Sequence, residues 1–109
     1  MKSKLLNIIN YYGVDNQQRK LEEEVYELQK AIIEYQQCKL CNEITKDNLY
    51  NLDAFKDCIA EEMADVCVLL MQFCNYYKIN VPKIGKIMEQ KIDRQIERIK
   101  NETDNTMVE

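Results

Sequence analysis

Ile59-Ala-Glu-Glu-Met-Ala-Asp-Val-Cys-Val-Leu-Leu70 repeats its apolar side chains at helical spacing and sets acids inside the repeat. Ile59, Met63, Val66 and Leu70 are 4, 3 and 4 residues apart, which keeps them on one face of an α-helix. Extended both ways, the stripe takes in Phe55, Phe73 and Tyr77, and Asp53 is the candidate cap at its start. At about 100° per residue, Glu62 lies about 55° from the stripe centre, with Ile59, Val66 and Leu69 on the same face. Asp65 follows on that flank. A carboxylate at the edge of a core-facing surface is costly unless something offsets its charge.

The rest of the chain reads the same way. A short helix is expected from Lys2 to about Tyr12, stopped at Gly13, a residue suited to a left-handed cap. Asp15 with Gln18 resembles a capping box, and the stripe Leu21, Val25, Leu28, Ile32 and Tyr35 predicts a second helix to about Gln37. The period fades over residues 38–52, which read as a connection with one helical turn. Asn80-Val81-Pro82 restarts a fourth helix carrying Ile84, Met88, Ile92, Ile96 and Ile99. From about Glu102 a polar, frayed tail is expected. The expectation is one all-α domain over residues 1–109, a helical bundle of one short and three longer helices.

Composition narrows the function. The 109 residues contain no histidine, so Ser-His-Asp catalysis, histidine-bound metals and imidazole switches are excluded. A net charge of −4 argues against a polymeric nucleic-acid partner. Val66-Cys-Val-Leu-Leu-Met71 is the longest strongly apolar run and far too short for a membrane span. Five cysteines, with no signal-peptide pattern at the start, lead us to expect free thiols in the cytoplasm. Cys38-Leu-Lys-Cys41 lacks the second ligand pair that a zinc site needs, and reads as ordinary thiols.

The acids are paired on two helices. On the second, Glu24 lies about 50 to 60° from the stripe centre, Glu27 shares its flank, and Glu23 is one step further out. On the third are Glu62 and Asp65. Antiparallel packing could bring these four anions together, and a hard divalent cation would make that tolerable. Oxygen-only ligands suit Mg²⁺ or Mn²⁺, and a di-iron bundle would require histidines. Solvated helix-face glutamates are the competing explanation.

Two motifs, Glu23-Glu24-Val25-Tyr26-Glu27 inside Lys20-Leu-Glu-Glu-Glu-Val-Tyr-Glu-Leu-Gln-Lys-Ala-Ile32 and Glu62-Met63-Ala64-Asp65, resemble the E-E-x-x-E and E-x-x-D pair of the MazG-type all-α nucleoside triphosphate pyrophosphohydrolases. Lys91-Ile-Asp-Arg-Gln-Ile-Glu-Arg98 resembles the basic stretch on the following helix of such proteins. The similarity runs from about Asn16 to Lys100. It implies Mg²⁺-dependent hydrolysis of an NTP or dNTP to the monophosphate and pyrophosphate, in a homodimer or a dimer of dimers. It further implies Glu24, Glu27, Glu62 and Asp65 as metal ligands, and Glu23 as proton acceptor or holder of a water.

Lys91, Arg94, Gln95 and Arg98 share a helix face, where cations and an amide could clamp polyphosphate oxygens. Lys20, four residues before Glu24, could reach phosphate or pair with that glutamate. Tyr26 and Ile33 form a further apolar flank on the second helix and favour a homodimer. Two alternatives stand beside this reading. One is phosphoribosyl-ATP pyrophosphatase, which shares the acid motifs; the other is a non-catalytic helical interaction module. Base and sugar preference have no code in these residues.

Overall fold

The computed structural model describes the backbone of residues 1–108 and the side chains of residues 1–105. Four helices follow in order: α1 (Lys2–Tyr12), α2 (Val14–Thr45), α3 (Leu52–Tyr76) and α4 (Val81–Val108), with no strand among the described residues. The all-α class and the count of one short and three longer helices agree with the sequence reading. No helix among the described residues is long and apolar enough to cross a membrane.

Gly13 alone joins α1 to α2, at φ 89° and ψ 147°. Its N–H donates to the Ile9 carbonyl at 2.8 Å, and its own carbonyl accepts from the Gln17 N–H at 3.1 Å. One residue therefore ends one helix and starts the next. The φ is positive as expected, but the ψ is far from the left-handed helical value. Asp15 does not cap α2: the helix already begins at Val14, and Asp15 lies in its first turn, where a negative charge still favours the helix dipole.

The helix expected to stop near Gln37 continues to Thr45, and the connection is only residues 46–51. The inward positions of α2 explain this: Gln17, Leu21, Glu24, Leu28, Ala31, Tyr35, Cys38 and Asn42 are buried or half-buried, 4 and 3 residues apart in strict alternation. That is a heptad seam, and its last members are a thiol and an amide rather than aliphatic residues. Asn42 also holds the connection, donating to the Tyr50 carbonyl at 3.0 Å and accepting from the Tyr50 N–H at 3.1 Å. Asn51, not Asp53, caps α3, its Oδ1 accepting from the Ala54 N–H.

On α3 the inward seam is Leu52, Phe55, Ile59, Glu62, Val66, Leu69 and Phe73. Compared with the sequence stripe it is rotated toward the acids. Met63 and Leu70, expected inside, are about half exposed, at 51% and 47%. Glu62 takes a seam position rather than a shoulder. The helices run antiparallel, as three cross-contacts show: Gln17 with Gln72, Tyr35 with Lys56, and Asn42 with Tyr50. Helix α1 lies mainly against α3 through buried Leu5 and Ile9.

Residues Met1–Tyr77 form one unit, and the segment from Lys78 onward another. In the second unit α4 starts after Asn80, whose carbonyl accepts from the N–H groups of Lys83 and Ile84, with Pro82 in the first turn as expected. The backbone from Glu102 to Val108 continues α4. Only Leu5, Ile9, Ala31 and Leu69 are buried apolar side chains among the described residues. Ile92, Ile96 and Ile99 on α4 are all more than half exposed.

Candidate metal centre

The heptad seams decide which acids face each other. Glu24 on α2 and Glu62 on α3 occupy inward positions of antiparallel helices, and Asp65 stands one turn beyond Glu62. One carboxylate oxygen from each of Glu24, Glu62 and Asp65 lies within 4.8 Å of the others. Glu24 and Glu62 are half-buried and Asp65 is exposed, so the cluster opens to solvent on one side. Glu27, one turn further along α2, is exposed and its oxygens stay outside this cluster.

Glu62 bears the cost of the arrangement. Its Oε2 is sealed from solvent without a hydrogen-bond partner. Burial first, then the charges of Asp65, Glu24 and Glu27, and last a hydrogen bond with Glu24, hold its carboxyl above the ordinary carboxylate range. An unpaired buried carboxylate oxygen costs stability unless a cation or donor reaches it. The donor set is all oxygen, which fits a hard divalent ion such as Mg²⁺ or Mn²⁺. The three oxygens, within 4.8 Å of one another, would draw closer together to share one such ion.

Lys20 is the cation at the mouth of this cluster. Its Nζ is 3.2 Å from Glu24 and 3.8 Å from Glu23. The hydrogen bond to Glu24 and that carboxylate's charge raise the ammonium's pKa, with smaller help from Glu23 and Asp65 against the opposing effect of desolvation. The ion pair is one of the two roles that the sequence leaves open to Lys20. Glu23 is largely exposed and turned to Lys20, outside the three-acid cluster.

Gln17, Lys20, Glu24, Asp65, Val68, Leu69 and Gln72 line an open recess of about 380 Å³. The recess joins the acids to a feature that apolar periodicity missed. Gln17 and Gln72 are 7% and 2% exposed, and the Gln17 Nε2 donates to the Gln72 Oε1 at 2.8 Å. The only signal in the sequence was spacing: each glutamine is seven residues from a cluster acid on its own helix.

Within the second unit, Lys91, Arg94, Gln95 and Arg98 share one exposed face of α4 and line a shallow groove of about 120 Å³, as their spacing led us to expect. All five cysteines are free thiols. Burial and the neighbouring Cys41 push the Cys38 thiol's pKa up, which suits an ordinary protonated thiol. Compared with known protein families, curated proteins and solved structures, the chain matches none.

Proposed function

We propose that this protein is a Mg²⁺-dependent nucleotide pyrophosphohydrolase, cleaving an NTP or dNTP to the monophosphate and pyrophosphate. The observation that carries the reading is the convergence of Glu24, Glu62 and Asp65 from two helices around a buried, unpartnered carboxylate oxygen. Three acids in that geometry fit a divalent ion better than they fit each other. Glu27, whose charge reaches Glu62, is a candidate fourth ligand.

When bound, the ion would supply charge neutralisation for the polyphosphate and acidify water. The chain's own groups do the rest. Glu23, exposed beside the cluster, accepts a proton as water oxygen bonds to the α-phosphorus. The bond broken joins that phosphorus to the oxygen bridging toward the β-phosphate, and pyrophosphate leaves with that oxygen. Lys20 exchanges its glutamate partners for a phosphate oxygen.

A homodimer, or a dimer of dimers, belongs to the same proposal. A chain of this length normally hides a larger core than the four apolar side chains buried among the described residues. Val25, Ile32, Met63 and Leu70 are left on the outer flanks of the α2 and α3 seams, where a second copy would cover them. The free thiols agree with a reducing, cytoplasmic setting.

The test is a panel of NTPs and dNTPs with Mg²⁺, reading pyrophosphate against orthophosphate, for the wild type and for Glu62→Gln and Asp65→Asn. The reading expects pyrophosphate as first product and its loss in both variants with the helical signal intact. Orthophosphate as first product would place the cleavage elsewhere. No turnover, with no Mg²⁺-linked stabilisation, would leave a helical interaction module.

A further inference from the structure

Two amides buried together at one end of a recess whose other end holds three carboxylates need an explanation that packing does not give. An apolar pair would fill the seam between α2 and α3 without the cost of burying polar groups. Gln17 and Gln72 satisfy each other only once, through the Gln17 Nε2 and Gln72 Oε1. Their remaining polar atoms, Gln17 Oε1 and Gln72 Nε2, have no hydrogen-bond partner in the protein and are not sealed from solvent, although both residues are more than nine-tenths buried. Both residues line the recess. The couple therefore keeps a free acceptor at Gln17 Oε1 and a free donor at Gln72 Nε2.

The distance from the acids is fixed by the helices. Gln17 precedes Glu24 by seven residues and Gln72 follows Asp65 by seven, so on each helix the amide is two turns, about 10.5 Å, from its acid. Val68 and Leu69 line the recess with them. A ligand with an anionic end at the acids and a polar end at the amides must cover that span with a body that tolerates apolar walls. A nucleoside joined to phosphate has those dimensions and that order: charge, sugar, flat base, hydrogen-bonding edge.

We infer that the Gln17–Gln72 couple is the base-reading element of the site, pairing its free donor and acceptor with the hydrogen-bonding edge of a nucleobase. This deepens the pyrophosphohydrolase reading and rests on it for the phosphate end only. Neither amide has another partner to fix its orientation, so turning both amides together reverses the order of donor and acceptor while preserving the bond between them. The couple thus recognises that a base edge is present and accepts either order of donor and acceptor. Broad base tolerance follows, with strict dependence on having a base.

The test compares calorimetric binding of UMP, CMP, AMP and GMP with ribose 5-phosphate, in Mg²⁺, for the wild type and the double variant Gln17→Met/Gln72→Met. Methionine keeps the chain length and packing while removing both amides. Two hydrogen bonds correspond to about tenfold or more in affinity. The wild type is expected to bind all four monophosphates at least about tenfold more tightly than ribose 5-phosphate. In the variant that preference falls below about threefold, while ribose 5-phosphate affinity and melting temperature hold. An unchanged preference, an equal loss for both ligand types, or no preference in the wild type would each overturn the inference. The two readings fail separately. A chain that shows the base preference but releases no pyrophosphate from NTPs refutes only the hydrolase. A hydrolase whose preference survives the double variant refutes only the couple.

Discussion

Replacing Glu62 by Gln should move the protein's stability in opposite directions with and without a divalent ion. Without metal, the wild-type carboxylate is disfavoured by burial and by Asp65, Glu24 and Glu27, so its neutral isostere should raise the melting temperature. With metal the order reverses. A ligand at 100 times its Kd stabilises the folded state by about 2.7 kcal/mol, and a domain near 100 residues gains roughly 4 °C or more per kcal/mol. Saturating Mg²⁺ should therefore raise the wild-type midpoint by about 10 °C. If the variant binds a hundredfold more weakly, the same Mg²⁺ contributes only about 0.4 kcal/mol, a shift of roughly 2 °C.

The pH dependence carries the same sign. The folded metal-free protein holds the Glu62 proton more tightly than the unfolded chain, because the carboxyl's pKa is raised. That increment of stability is full below the ordinary carboxylate range and is lost as pH rises through the raised value. Glu62→Gln removes the slope, and Mg²⁺ suppresses it in the wild type. Thermal melts of both proteins across pH, with EDTA or Mg²⁺, measure all of this. A variant that melts lower without metal yet gains as much from Mg²⁺ as the wild type would refute the reasoning.

Three further outcomes follow from the fold. Gly13→Ala forces φ 89° on a residue with a Cβ, and since nothing lies within 4 Å of that Cβ the cost is backbone strain alone, about 1 to 3 kcal/mol by denaturant melts. Ile9→Ala removes the one large side chain that is fully buried among the described residues and should cost about 2 to 5 kcal/mol, enough to unfold much of so sparse a core. Leu70→Glu puts a charge on the outward apolar flank of α3; sedimentation should show the wild type as a dimer or tetramer and the variant as a monomer.

The helical class was legible because Ile59 to Leu70 and Leu21 to Tyr35 repeat at spacings of 3 and 4. The inward faces were harder to read. Hydropathy points to Met63, Leu70 and Val25, yet the chain turns Glu62, Leu69 and Glu24 inward, because both stripes are wider than one neighbour can cover. The acids looked like shoulder residues for that reason. The last two turns of α2 were lost for a related cause: Cys38 and Asn42 hold seam positions without being strongly apolar. Asp15 and Asp53 looked like caps because acids favour first turns, but Gly13 and Asn51 hold the cap positions. Gln17 and Gln72 carry no hydropathy signal, and only their partnership across two helices reveals them.

Manganese titration followed by electron paramagnetic resonance tests the centre most directly, since free Mn²⁺ gives a sharp six-line spectrum that fades on capture by protein. The account predicts saturable loss of that signal by the wild type, competition by Mg²⁺, and a much weaker loss with Glu62→Gln or Asp65→Asn. Equal binding by wild type and both variants, or none by the wild type, would contradict it.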